Sequence, residues 1–273
     1  MVKVAFQGER GAFSEDAAAK LFGKNIDFLP CIRLKEVFEL VSQDKVEFGV
    51  VPVENSQAGS INETYDLLLA YPLNIFAEVI LKVSHCLMAL PGEKLADIAT
   101  IYSHPQALAQ CEEFLSKLKV EIMSSYDTAG SAKMIKEKKL QNCAAIASRR
   151  AADIYGLEIL ASEVETSVNN YTKFVAISKQ KAKPAQRNKT SLVFAAEHKP
   201  GSLYRILGIF ATRNINLTKL ESRPSRTKPW EYVFYADFEG HLDGEVYQEA
   251  VRELQREAAF VKILGSYPQA TLS

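Results

Sequence analysis

Four strand-to-helix junctions in this chain concentrate small polar residues: Gly8-Glu-Arg-Gly-Ala-Phe-Ser14, Glu54-Asn-Ser-Gln-Ala-Gly-Ser60, Ser103-His-Pro-Gln106 and Ala147-Ser148. The first turn of a helix has free N–H groups and the positive end of the helix dipole, so such junctions bind carboxylates and phosphates. Several of them facing one cleft suit a small molecule with more than one acidic group. Each alone also reads as an ordinary cap, Ser14 and Ser148 above all, and His104 before Pro105 reads equally as a core or cap residue. The spacing Gly8-x-x-Gly11 is not a dinucleotide fingerprint, and no Walker loop occurs, so no nucleotide cofactor is expected. Asn170-Tyr-Thr-Lys-Phe174 stands at the entrance to an apolar strand. Strand alternation puts Thr172 and Phe174 on one face and Lys173 on the other. On spacing alone Thr172 is a β-former.

A scaffold for these junctions is legible in the apolar periodicity. Val2–Gln7 predicts a strand, and Ser14 then precedes an Ala-rich helix with Glu15 and Asp16 in its first turn. Ile26–Leu29 is a short strand. Leu34, Val37, Phe38, Leu40 and Val41 follow helical spacing, as do Ile61, Tyr65, Leu68 and Leu69. Between them Phe48–Val53 is apolar and β-branched, as a buried strand should be. Ile75–Leu90 holds two or more strands. Thr100–Ser103 runs into His104-Pro105, where Pro105 suits a first helical position and Leu108, Cys111, Phe114, Leu115 and Leu118 continue one stripe. Val120–Met123, a helix from Thr128, Cys143–Ala147, a helix from Ser148, and strands at Leu157–Leu160 and Phe174–Ile177 repeat the rhythm. Alternating strands and helices imply mostly parallel sheets covered on both faces. The count is large for one sheet, so two lobes are expected, the first ending near Ala77 and regaining the last strands before residue 180. Ligands in such folds sit beyond the carboxyl ends of strands or between lobes.

Ser178–Lys189 contains Lys179, Lys181, Lys183, Arg187 and Lys189 and no acid, and reads as a solvated tether. The pattern then restarts: strand Thr190–Ala196, helix Gly201–Arg213, strands Asn216–Ser222 and Tyr232–Phe238, helix Val246–Glu257, strand Phe260–Leu264. This βαββαβ order is the ferredoxin-like unit. The 273 residues carry 33 basic and 33 acidic side chains, which argues against a nucleic-acid scaffold. No window approaches 18 uninterrupted apolar residues, so no membrane partner is expected, and the N-terminal residues lack the apolar core of a secretory signal. Cys31, Cys86, Cys111 and Cys143 are widely spaced, without a C-x-x-C pair. They predict neither a metal site nor a disulfide framework but reduced thiols in a cytoplasmic protein.

These residues together resemble the prephenate dehydratase family from end to end. The matches are Gly8…Gly11-Ala-Phe-Ser14, Val51-Pro-Val-Glu-Asn-Ser56 with Gly59, Ser103-His-Pro-Gln106…Gln110-Cys111, Ala144-Ala-Ile-Ala-Ser148 with Ala151-Ala152 and Tyr155-Gly-Leu157, and Asn170-x-Thr-Lys-Phe174. The resemblance implies an α/β fold: a two-lobed catalytic domain over residues 1–180, resembling type 2 periplasmic binding proteins, with lobe one about 1–77 and 160–180 and lobe two about 78–159. It implies a cofactor-free carbon–oxygen lyase in L-phenylalanine biosynthesis, which removes carbon dioxide and the ring hydroxyl from prephenate to give phenylpyruvate. Thr172 takes the role of acid, read here as a positioned donor to the leaving oxygen. Asn55, Ser56, Lys173 and Phe174 are its catalytic neighbours, and Ser14, Glu54, Gly59, Ser103, His104 and Ser148 the substrate-binding candidates. Two departures stand out: the family usually has Thr-Arg-Phe where this chain has Thr172-Lys173-Phe174, and often Thr at Ala12. Lys lacks the bidentate fork of Arg, so a clamp at position 173 would bind substrate more weakly or differently.

Beyond a linker at 181–189, residues 190–273 resemble an ACT regulatory domain through Pro200-Gly-Ser-Leu-Tyr204, Asn216-Leu-Thr218 and Glu221-Ser-Arg-Pro224. This implies allosteric L-phenylalanine held by Gly201, Ser202, Leu203, Asn216 and Leu217, with Glu221, Ser222, Arg223 and Pro224 completing the pocket from a second subunit of a homodimer or homotetramer. Two other functions stay open: an arogenate dehydratase, and a non-catalytic amino-acid sensor of the same fold.

Overall fold

The computed structural model describes residues 2–23, 25–225 and 231–271. Met1, Leu272 and Ser273, at the outer ends of the two expected domains, lie outside the described residues. The chain opens with β1 (Lys3–Gln7), α1 (Phe13–Phe22), β2 (Asp27–Cys31), α2 (Leu34–Ser42), β3 (Phe48–Asn55), β4 (Gly59–Ser60), α3 (Asn62–Ala70) and β5 (Asn74–Lys82). A second sheet follows: β6 (Cys86–Ala89), β7 (Thr100–Ser103), α4 (Pro105–Gln110), α5 (Glu112–Leu115), β8 (Glu121–Ser124), α6 (Thr128–Lys138), β9 (Cys143–Ala147), α7 (Arg149–Tyr155) and β10 (Glu158–Ser162). Then β11 (Tyr171–Ser178) returns to the first sheet, whose order is β2-β1-β3-β11-β5 with β4 on β3.

The apolar runs account for these elements. Val4, Ala5 and Phe6 in β1 and Val50 and Val51 in β3 are fully buried, as strands covered on both faces require. In α2 the buried residues are Leu34, Val37, Phe38 and Val41, the i, i+3, i+4, i+7 stripe of a helix lying on a sheet. β1 runs parallel to β2 and β3. The second sheet, of order β10-β6-β9-β7-β8, is mixed rather than mostly parallel. β7 is parallel to β8 and β9, but β6 is antiparallel to β9 and to β10. The entry strand β6 and the exit strand β10 pair side by side, so the chain leaves this sheet against the direction in which it entered.

Two local expectations change. The single helix expected after Pro105 breaks at Cys111, whose φ of −108° and ψ of 16° leave the helical well. Leu108, Cys111 and Leu115 still share one core with Leu87, Ile101 and Ile146. Ser14 does not cap α1, which begins one residue earlier, with extended Ala12 at the N-cap position. The carboxylate of Glu15 reaches back instead and accepts from the Gly11 N–H at 2.6 Å.

The C-terminal residues form β12 (Asn188–Ala195), α8 (Ser202–Ala211), β13 (Leu217–Pro224), β14 (Tyr232–Glu239), α9 (Glu245–Glu257) and β15 (Phe260–Pro268). Their antiparallel sheet has the order β13-β14-β12-β15, and its core joins Leu192, Phe194 and Phe238 to Ile206 and Phe210 of α8 and Leu254 of α9. This is the expected ferredoxin-like βαββαβ unit.

The chain divides into two compact units, Met1–Thr64 with Ile80–Phe174, and Tyr65–Val79 with Val175–Ser273. The second therefore takes in most of α3 and the first part of β5 as well as the ferredoxin-like fold. Here Lys189, expected in a solvated tether, is instead buried at the start of β12. Its Nζ donates to both oxygens of buried Glu78, at 2.9 and 2.8 Å, because the β5 carboxylate supplies the counter-charge that lets a lysine leave water. Removing one partner of a buried pair strands the other charge, at about 3–5 kcal/mol. Glu78→Ala should lose that much in urea unfolding, and the double replacement Glu78→Leu/Lys189→Met should recover most of it.

Candidate active site

The carboxyl end of β3 and the start of β11 meet at one side chain. Asn55 is almost fully buried, and its Nδ2 donates to Asn170 Oδ1 at 2.8 Å, Thr172 Oγ1 at 2.9 Å and the Tyr171 carbonyl at 3.2 Å. Its Oδ1 accepts from the Gln57 and Ala58 N–H groups, each at 3.0 Å. Those two backbone donors fix which end of the carboxamide is oxygen. Thr172 therefore accepts a hydrogen bond from Asn55, which leaves its own O–H free to donate.

Thr172 faces a cavity of about 160 Å³ within the first unit. Ala12, Phe13 and Ser14 line it from the β1–α1 junction, and Asn55 and Ile61 from the end of β3 and the entry to α3. Val83 and His85 come from the crossover between the sheets, and His104, Gln106 and Gln110 from the Pro105 helix. Asp127 and Thr128 at the start of α6, with Thr172 and Phe174 of β11, complete the wall. The two sheets thus contribute to one cavity, as the alternation of strands and helices implied. The polar wall is mostly neutral. Asp127 is its one carboxylate among the described residues; it caps α6 through the Gly130 N–H at 2.7 Å, and burial raises its pKa. His104 both caps and lines: its Nδ1 accepts from the Gln106 N–H at 3.2 Å.

Comparison with known proteins matches the prephenate dehydratase family model to residues 4–182 and the ACT domain model to residues 190–257. The chain belongs to the prephenate dehydratase family. It is 45% identical over 281 residues to arogenate dehydratase/prephenate dehydratase 2, chloroplastic, of Arabidopsis thaliana, covering 99% of this chain and 74% of that one. The solved prephenate dehydratase in complex with L-Phe from Arthrobacter aurescens superimposes with a TM-score of 0.90 at 30% identity, covering 98% of this chain and 90% of that one. A second solved structure, GqqA, described as a novel type of quorum quenching acylase, superimposes at 0.88 with 34% identity and 98% coverage of both chains.

In this dehydratase-family chain, Ser14, Asn55, His104, Thr172 and Phe174 come together at the cavity, while the other expected site residues lie behind it. Ser56 Oγ donates to the Asn169 carbonyl at 3.0 Å and accepts from the Tyr171 N–H at 2.9 Å, stitching β3 to the approach of β11. Lys173 points to the other strand face, where its Nζ pairs with Glu54 at 3.1 Å, so Glu54 and Lys173 engage each other and neither lines the cavity. Gly59 sits in β4 with φ of 78°, a backbone only glycine adopts without strain. Ser103 Oγ donates to the Ile146 carbonyl, and Ser148 caps α7 while donating to the Gly11 carbonyl, both donations at 2.6 Å. Phe13, His85, Gln106, Gln110, Asp127 and Thr128 are lining residues that sequence reasoning did not assign. For Gln106 and Gln110 a signal existed: four residues apart after Pro105, they share a helix face.

The ACT residues divide among three places. Leu203 lines a cavity of about 410 Å³ with Pro200, Tyr232 and Phe234, next to Gly201, which has φ of 80°, and buried Ser202. Asn216 and Leu217 line a separate groove with Leu207 and Ile215. Glu221, Ser222, Arg223 and Pro224 lie in register with Tyr235, Phe234, Val233 and Tyr232 at the sheet edge, where Arg223 approaches Asp66 at 3.8 Å.

Behind Ser14 a second buried charge joins the two sheets' helices. Glu15, with no exposed surface, accepts from Arg10 Nε and from Arg150 of α7, each at 3.0 Å, besides Gly11. Arg150 also approaches Asp16 at 3.5 Å. Burial, reinforced by the Glu15 charge and opposed by Arg150, raises the Asp16 pKa from about 3.8 to about 6. Folding thus favours protonated Asp16, and that contribution is complete below its ordinary pKa and lost as the pH rises through about 6. Asp16→Asn should therefore raise Tm at pH 7.5, and the gain should shrink toward pH 4.5 in calorimetric scans.

Proposed function

We propose that this protein is a prephenate dehydratase under feedback control by L-phenylalanine. The observation that carries the reading is the Thr172 hydroxyl, held as an acceptor by Asn55 and left free to donate into a cavity with mostly neutral walls. In the reaction the bond from the ring to its carboxylate breaks, carbon dioxide leaves, and the electron pair passes through the ring to expel the hydroxyl as hydroxide. The ring becomes aromatic, which supplies the driving force. Negative charge grows on the departing oxygen, so a fixed donor there acts more strongly in the transition state than in the bound substrate. Thr172 serves as that donor, and Asn55 sets its direction.

The same geometry disfavours acyl transfer. A nucleophilic hydroxyl needs a base to take its proton. The partner of Thr172 is a carboxamide donor, which withdraws density from the oxygen. A second reading, arogenate as a substrate, is favoured by Asp127, because a carboxylate in the wall complements an ammonium on the substrate side chain. Feedback is supported by the ACT domain match and by the family member solved with L-Phe. The proposal extends to a homodimer or homotetramer assembled through the ACT sheet, where β13 is an edge strand, and to a reducing, cytoplasmic setting, for which the four free thiols speak.

Purified protein should convert prephenate to phenylpyruvate, and phenylalanine should slow it. Loss of one such donor is worth about 100–1,000-fold in kcat, so Thr172→Ala should fall by that factor with its fold intact. No phenylpyruvate at any enzyme concentration would sink the proposal. Asp127→Asn should lower kcat/KM for arogenate about tenfold relative to prephenate, as a lost charge pair of modest strength implies. An unchanged ratio would remove the second reading.

A further inference from the structure

One buried histidine in the cavity wall has no role in the chemistry above. His85 lies between β5 and β6, where the chain crosses from the first sheet to the second, and is 2% exposed. Its backbone N–H donates to Glu165 Oε2 at 2.8 Å, and its backbone carbonyl accepts from the Val164 N–H at 3.0 Å, so the outgoing crossover is clamped to the returning one. The ring of Phe13 meets the imidazole edge-on, with centroids 5.6 Å apart. Nε2 stands 3.0 Å from Gln110 Oε1, and Nδ1 is buried without a partner among the described residues.

The two neutral tautomers are not equal here. With the proton on Nε2, the imidazole donates to Gln110 Oε1 and the orphan is a bare lone pair. With the proton on Nδ1, a buried N–H is stranded and two acceptors face each other. Stranded buried N–H groups are the rarer and costlier defect, so the first tautomer is preferred. Burial lowers the pKa of His85 and keeps the ring neutral. The backbone carbonyl of Gln110 accepts from the Thr166 N–H at 2.8 Å, which ties this end of the helix to the returning crossover. With Oε1 taken, the carboxamide of Gln110, which also lines the cavity, keeps both N–H bonds available.

We propose that His85 is a positioning residue: by occupying Oε1 of Gln110 it turns that carboxamide's N–H₂ group into the cavity as a fixed donor to a substrate carboxylate. The identity of that anion rests on the dehydratase reading; the His85–Gln110 contact does not.

The test measures kcat/KM for prephenate on the full chain. One hydrogen bond to a charged group is worth about 10–100-fold, so His85→Leu should lose that much. His85→Gln, whose side-chain N–H can reach the Nε2 position, should stay within about threefold of the parent by the same reasoning. The double variant His85→Leu/Gln110→Ala should lose no more than Gln110→Ala alone, because the two act through one bond. Losses that multiply, a leucine variant as active as the parent, or a glutamine variant as poor as leucine would each overturn the proposal. Nitrogen-15 NMR of histidine-labelled parent protein needs neither a folded variant nor a substrate. It should show His85 as the neutral Nε2–H tautomer at pH 7, and an Nδ1–H tautomer or an imidazolium would overturn it. Parent protein that turns over no prephenate sinks the dehydratase reading and the assigned anion with it; the tautomer then decides the His85–Gln110 contact by itself.

Discussion

The carboxamide of Asn55 is the constraint on which the site depends. It has two hydrogens for three acceptors, Asn170, Tyr171 and Thr172, and one oxygen for two backbone donors. In a buried position every one of those five partners would be costly to leave unmade. The group therefore fixes the turn after β3, the approach to β11 and the direction of the Thr172 hydroxyl in one arrangement. Ser56 repeats the stitch through the backbone on the outer side. A substitution at Asn55 would loosen a loop and mis-aim a hydroxyl together, so its effect on activity should exceed its effect on stability.

A chain of zero formal charge handles a dianion by placing its charges with care. Charged side chains near the cavity are paired outside it: Lys173 with Glu54, Lys133 with Glu9, and both Arg10 and Arg150 with Glu15. Among the described residues the polar wall itself is left to carboxamides, hydroxyls, two imidazoles and the single carboxylate Asp127. Neutral donors suit a substrate that must lose one carboxylate as carbon dioxide. A strong ion pair to that group would hold it in the charged ground state.

The ferredoxin-like half has a core of its own, built from β12, β14, α8 and α9. Within its unit, the last turn of α3 is bound by Lys262 of β15, whose Nζ donates to the carbonyls of Leu68, Leu69 and Tyr71 at 2.7–2.8 Å. Tyr235 of β14 reaches the Tyr65 carbonyl of the same helix at 3.1 Å. Residues 65–71 are thus anchored within their own unit by side chains of the ferredoxin-like sheet.

Much of this was legible in the residues themselves. Apolar periodicity marked almost every strand and helix, since burial of a face demands a period of two or about 3.6 whatever surrounds it. Alternation alone separated Thr172 from Lys173, and the motifs in order identified the family. Other features are pairings between distant segments, for which local pattern carries no signal. Nothing near Lys189 announces Glu78, and nothing near Ser14 announces that Glu15, clasped by Arg150, would cap the helix in its place. The mixed order of the second sheet depends on where β6 and β10 meet. Which polar residues face the cavity, His85 and Gln110 among them, and which lie behind it, Ser103 and Ser148 among them, follows from hydrogen bonds that close only on folding. The order of residues alone was enough for the elements and the family. Folding in three dimensions settled which neighbours hold Asn55 and, through it, Thr172, because each of those bonds joins residues more than a hundred positions apart.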